Sequence, residues 1–155
     1  MGSGKSTLGK KIANILDLPF FDIDLLIEAD QKKSISEIFN NQGEGYFRQL
    51  ESKYLRDLNS SGVYATGGGI IEKNTNCRIL TEKADLIIWL ETDWQTILER
   101  IRTSKRPLVK IYTEKQLFDL YIHRSGIYKK LADIIFNGNN LKKLLQTIEN
   151  KKTIF

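Results

Sequence analysis

A parallel, doubly wound α/β sheet is the fold class that the sequence predicts, and three observations predict it. Short apolar stretches alternate with longer amphipathic ones along the whole chain, the pattern of βα units around a parallel sheet. Acidic and glycine-rich turns follow two of those apolar stretches, where an open α/β sheet gathers its ligands. Gly2-Ser3-Gly4-Lys5-Ser6-Thr7 opens the chain as the second half of a phosphate-binding loop, Gly-x-x-x-x-Gly-Lys-Ser/Thr.

In order, Thr7 to Leu16 reads as a helix with Leu8, Ile12, Ile15 and Leu16 on one face. Asp17-Leu18-Pro19 ends it. Pro19 to Asp24 reads as a buried strand whose last residues carry two acids, and Leu25 to Ala29 as a helical turn. Ser34 to Asn40 reads as a helix, with Ser34 and Glu37 forming a capping box. Gln42-Gly43-Glu44-Gly45 is a turn, and Tyr46 to Leu58 a longer amphipathic helix.

Val63-Tyr64-Ala65-Thr66 is a strand that runs into Gly67-Gly68-Gly69. Ala84 to Glu91 is another strand, with Trp89 inside it, and Asp93 to Ile101 a helix. Thr103 to Thr113 is polar and loop-like, and Glu114 to Leu131 is a long helix. Asp133 to Phe136 is a last strand, followed by a turn and a final helix from Leu141 to Asn150. Four strands are visible, in one domain spanning residues 1–155, without repeats or linkers.

Composition narrows the function. The chain has 155 residues, 41% hydrophobic and 28% charged, enough for one domain with its own core. Apolar runs are too short to span a membrane, and no signal peptide is visible. The lone Cys77 forms no internal disulfide, which fits a reducing, cytoplasmic setting. The net charge of +5 favours anionic ligands. Its lysines and arginines are dispersed, without the aromatic-interleaved stripe of a nucleic-acid surface.

The phosphate loop carries the sharpest chemistry. Its backbone N–H groups cradle phosphates, and only glycine lets them approach. The following helix aims its positive end at the same anion. Lys5 is expected on the terminal phosphates, and the Ser6 hydroxyl on Mg²⁺. The motif's first glycine and the strand that feeds such a loop would precede Met1. A chain starting at Met1 is therefore expected to hold its loop loosely, and to be a poor enzyme and an unstable fold.

Asp22 and Asp24 flank Ile23, and on a strand both carboxylates leave one face. One could hold Mg²⁺ through water while the other meets a substrate hydroxyl; a surface Asx turn is the bland alternative. Gly67-Gly68-Gly69 offers close backbone approach and N–H donors, or simply a flexible turn. Arg48 and Glu51 are one helical turn apart, so a local pair is the plain account. Arg106 and Arg124 suit a bidentate grip on carboxylate or phosphate, and His123 is assigned no chemistry.

Taken together, these ordered motifs resemble the shikimate kinase family over essentially the whole chain. They are Gly2 to Thr7, Phe21-Asp22-Ile23-Asp24 with Ile27-Glu28, and Phe47-Arg48-x-x-Glu51. Ala65-Thr66-Gly67-Gly68-Gly69, Arg106-Pro107-Leu108, and Arg124 with Tyr128 complete the set. The resemblance implies a nucleoside-monophosphate-kinase-like, three-layer α/β/α fold with five strands and a lid at about residues 102–115. It implies transfer of the ATP γ-phosphate to the 3-hydroxyl of shikimate, with Mg²⁺, by a cytoplasmic monomer.

By the same resemblance, Asp24 binds shikimate hydroxyls, Arg48 and Arg124 its carboxylate, and Gly68 donates a backbone N–H. Asp22 and Ser6 serve Mg²⁺, Arg106 is the lid arginine on the phosphates, and Arg102 packs on adenine. Two other readings stay open: a gluconate or nucleoside monophosphate kinase of the same fold, and a non-catalytic nucleotide-binding domain. The arginine pair favours a small carboxylate over a nucleobase.

Overall fold

The computed structural model describes residues 2–102, 104, 107–138 and 140–152. Helix α1 (Lys5–Ile15) follows the phosphate loop and leads to strand β1 (Phe20–Asp22). Helices α2 (Ile23–Gln31) and α3 (Ile35–Arg56) come next, then β2 (Val63–Ala65) and a 3₁₀ turn (Ile70–Glu72). Helix α4 (Asn74–Lys83), β3 (Ile88–Leu90), α5 (Trp94–Arg102) and α6 (Pro107–Ile111) follow. Helix α7 (Glu114–Leu131), β4 (Ile134–Phe136) and α8 (Leu141–Lys152) complete the described chain.

Strands β1 and β2 pair in parallel, with Phe20 opposite Val63 and Asp22 opposite Ala65. Strands β3 and β4 also pair in parallel, with Ile88 opposite Ile134. Every pairing is parallel, as expected, but the four strands form two two-stranded halves rather than one sheet. Among the described residues no ladder joins β2 to β3. Between them lies an apolar cleft of about 960 Å³, bordered by Val63, Tyr64, Ile88, Trp89 and, from the helices, Ile12 and Tyr128. Trp89 is thus half-buried on the wall of the cleft rather than sealed in a core.

Three apolar clusters hold the elements. The largest packs α2 and α3 through Ile23, Ile27, Ile38, Phe47, Leu50 and Leu55 onto Ile70 and Ile71. A second sets Ile12 of α1 with Phe136, Leu144 and Ile148. A third joins Ile97 and Ile101 of α5 to Leu117 of α7. Full burial of such a side chain is worth roughly 1.5–3 kcal/mol. Gly9 lets α1 press onto β1, because a Cβ there would stand 2.6 Å from the Phe20 ring.

Several elements differ from the sequence expectations, each for a physical reason. The strand expected to end at Asp24 stops at Asp22, whose carboxylate caps α2 by accepting from the Asp24 N–H at 3.1 Å. Asp24 is therefore in a helix's first turn. The two acids do not share one face of a strand.

The expected turn at residues 42–45 is a kink inside α3, at Gly43 with φ 80° and ψ 167°. The Ser34–Glu37 capping box is present. Helix α6 replaces part of the expected loop, and Pro107 holds its first position, where a missing N–H does no harm. Helix α4 opens with Asn74-Thr75-Asn76, poor helix formers that gave no periodic signal. Tertiary contacts hold it: buried Asn76 donates to the Ile70 carbonyl at 2.9 Å, and the Cys77 thiol donates to that of Ile71 at 3.3 Å.

Candidate active site

The phosphate loop takes the shape its glycines allow. Gly4, the N-cap of α1, has φ 83° and ψ 17°, and Gly2 has φ 66°. Both lie in the left-handed region that side chains rarely adopt. The Leu8 N–H closes on the Gly4 carbonyl at 3.0 Å, and Arg100 of α5 donates to the Gly2 carbonyl at 2.8 Å. The Ser6 hydroxyl donates to the Asp22 carboxylate at 2.6 Å. The end of β1 and the start of α1 thus set two hard oxygen donors side by side, although sixteen residues separate them.

A second group of residues faces them. Arg48 of α3 donates through Nη1 to Glu51 at 2.6 Å and grips Glu44 through Nε at 3.1 Å and Nη2 at 2.8 Å. Glu51 is 0% exposed. Burial pushes its carboxyl above the usual range, Arg48 opposes that, and the charge of Asp24 adds to it. Burial works against the Arg48 charge, but Glu51 and Glu44 outweigh it and hold the guanidinium firmly charged.

The glycine turn after β2 fits around these side chains. A Cβ on Gly67 would overlap a Glu51 carboxylate oxygen and stand 2.8 Å from Asp24 Oδ1. A Cβ on Gly69 would overlap the Arg48 guanidinium. The absence of Cβ atoms therefore makes room for protein side chains, which adds to the backbone-donor role expected of this turn. Helix α7 closes the site. Buried Arg124 donates through Nε to Glu72 at 2.7 Å, and the Tyr128 hydroxyl donates to the Gly68 carbonyl at 2.6 Å. Burial pushes the Tyr128 hydroxyl up to about 12, so it stays a donor.

These residues converge. Lys5, Ser6, Asp22, Asp24, Arg48, Gly67, Gly68, Gly69 and Arg124 all line one cavity of about 430 Å³. Gly2, Ser3, Gly4 and Thr7 line the adjoining cleft, which also reaches Lys5, Ser6 and Arg124. Arg102 ends α5 and is exposed. Arg106 lies outside the described residues, while its neighbours Pro107 and Leu108 line the cavity. Sequence reasoning left two partners unassigned, Glu44 and Glu72, which hold the arginines, and gave no sign of the deep burial of Glu51. The spacing of Glu44, Arg48 and Glu51 was readable as helical pairs; the contact between Glu72 and Arg124 had no local signal.

A parallel α/β fold, a Gly-Lys-Ser phosphate loop at a helix N-terminus and an acidic, arginine-bearing cavity beside it define a phosphate-loop kinase. The family profile described as shikimate kinase matches residues 1–152. The shikimate kinase of Dictyoglomus turgidum is 40% identical over 147 residues, covering 90% of this chain and 84% of that protein. That of Staphylococcus aureus strain MSSA476 is 43% identical over 143 residues, covering 91% and 82%.

Among solved structures, the shikimate kinase from Acinetobacter baumannii in complex with shikimate superposes with a TM-score of 0.85. It is 33% identical, with 97% of this chain and 87% of that chain covered. The Aquifex aeolicus enzyme superposes with a TM-score of 0.82 at 32% identity, covering 99% and 92%. The chain belongs to the shikimate kinase family. It is an ATP-dependent kinase that phosphorylates shikimate.

Proposed function

We propose that the 430 Å³ cavity is where the γ-phosphate of ATP passes to the 3-hydroxyl of shikimate, with the residues around it in distinct roles. The observation that carries this reading is the convergence itself. The phosphate-loop residues Lys5 and Ser6 share one cavity with two arginines and two aspartates. Phosphoryl transfer asks mainly for positioning and charge neutralisation.

Lys5 and the N–H groups of Gly2 to Thr7 hold the ATP phosphates, with Arg106 and Arg102 as further contacts to the phosphates and adenine. Arg48 and Arg124 grip the shikimate carboxylate, each with a planar fork that matches it. Asp24 and the Gly67–Gly69 turn meet the ring hydroxyls. The 3-hydroxyl oxygen bonds to the γ-phosphorus, its proton passes to Asp24, and the β–γ bridging oxygen leaves with ADP.

The Ser6 hydroxyl and the Asp22 carboxylate, 2.6 Å apart, fit Mg²⁺, which takes few protein oxygens and completes its shell with water and phosphate. Bound there, Mg²⁺ would neutralise charge on the phosphates. Among the described residues no helix is long and apolar enough to cross a membrane, and the reading places a monomeric enzyme in the cytoplasm. The 102–115 segment is the lid, and its described part contributes Pro107 and Leu108 to the cavity wall.

Thermal melting with three ligands tests the substrate assignment. Shikimate is expected to raise the melting temperature, whereas gluconate and a nucleoside monophosphate leave it unchanged. A shift with gluconate or the nucleotide instead of shikimate would move the assignment to another kinase of this fold.

A further inference from the structure

Glu72 is the last residue of the 3₁₀ turn that follows Gly67-Gly68-Gly69. Its backbone N–H donates to the Gly69 carbonyl at 3.1 Å, which ties it to the glycine turn. Its side chain leaves that turn toward α7 and divides its two oxygens. Oε1 accepts from Arg124 Nε at 2.7 Å, and Oε2 lies 3.3 Å from His123 Nε2. One turn along α7, Tyr128 donates to the Gly68 carbonyl at 2.6 Å. Helix and glycine turn are therefore joined at two points: Arg124 to Glu72, and Tyr128 to Gly68.

The chemistry of the fork gives this arrangement a purpose. A guanidinium has one N–H on Nε and four on its two Nη atoms, in a rigid plane. Engaging Nε turns that plane and fixes it, and leaves the Nη edge, which is the edge that holds a carboxylate with two parallel bonds. Arg124 is buried, lines the 430 Å³ cavity, and has no hydrogen bond from either Nη atom among the described residues. The Glu72 side chain does not line that cavity; it reaches the site only through Arg124.

We infer that Glu72 is a positioning residue for the acceptor: it sets the Arg124 fork in the orientation that receives the shikimate carboxylate, with His123 bracing its second oxygen. The inference rests on the proposed role of Arg124. Without Glu72, a long side chain would have to be ordered by the substrate itself, and affinity for the acid would fall while the phosphate-loop steps stayed as they are.

A double-mutant cycle on the full chain tests this, with steady-state kinetics on both substrates and a thermal melt of each variant. Glu72→Ala is expected to raise the KM for shikimate about tenfold, the scale of one charge-assisted hydrogen bond. Its kcat and its KM for ATP are expected to stay within about twofold of the parent values. Glu72→Gln, which keeps an acceptor oxygen, is expected to recover most of the loss. In an Arg124→Ala background, Glu72→Ala is expected to add nothing, because its route to the substrate is gone.

An unchanged shikimate KM in both Glu72 variants, beside a raised one in Arg124→Ala, would overturn the inference alone. Full additivity of the two substitutions would do the same. An Arg124→Ala protein with unchanged shikimate KM would overturn the proposed grip, and this inference with it. If Glu72→Ala does not fold, Glu72→Leu, which keeps the bulk but offers Arg124 no acceptor, decides in both backgrounds by the same criteria.

Discussion

The Arg48 guanidinium occupies the space that a Cβ on Gly69 would need. One arginine from α3 is thereby locked under a turn that follows β2. Gly69 has φ −104°, an ordinary conformation for any residue, so the demand for glycine there is steric, and the three nearest atoms to a Cβ all belong to the Arg48 guanidinium.

Gly69→Ala is therefore expected to displace Arg48 rather than strain the backbone. Affinity for shikimate should fall, by up to the roughly 1.5–3 kcal/mol of a charge-assisted grip, while ATP affinity changes little. Isothermal titration with each ligand separately measures this. Equal losses for both ligands, or none, would contradict the steric account.

Arg48→Ala and Arg124→Ala are each expected to weaken shikimate binding by roughly 1.5–3 kcal/mol, about tenfold or more. Arg48→Ala carries a second effect, because it leaves Glu51 buried without its cation, and its melting temperature should fall as well. If both variants bound shikimate as tightly as the parent, the carboxylate would sit elsewhere.

The Glu51 carboxyl is pushed above its ordinary value of 4.5 by burial. A carboxyl that is harder to ionise when folded favours the folded state fully below its unfolded pKa and loses that contribution as pH rises through its folded pKa. Relative to Glu51→Gln, the parent protein should be most stable near pH 4 and lose ground as pH rises above about 4.5. Paired melting curves from pH 4 upward check the sign. A parent that gains on Glu51→Gln as pH rises would mean that Arg48, not burial, governs the group.

Much of the architecture was legible from local signals. The bounds of α7 follow from the pattern of residues 114–131, and the Ser34–Glu37 box starts α3 where expected. The phosphate loop was legible from six residues. Asp22 was expected on a strand with Asp24, but the Asp22 carboxylate bonds two residues ahead and starts a helix, a local choice that alternation cannot reveal. Helix α4 was missed because contacts such as that of Asn76 hold it, not propensity. The contact between Glu72 and Arg124 spans 52 residues, and only the fold brings such a pair together.

We propose that this chain passes phosphate from ATP to shikimate through Lys5, beside two arginines that hold the acceptor. Coupled ADP release, measured with and without shikimate for the parent and for Lys5→Ala, tests it most directly. The expected result is ADP release that depends on shikimate and falls to less than about a tenth in Lys5→Ala, at least ~1.4 kcal/mol of barrier. Shikimate binding should stay nearly unchanged in that variant. ADP release indifferent to shikimate, or a Lys5→Ala protein that keeps its turnover, would contradict the claim.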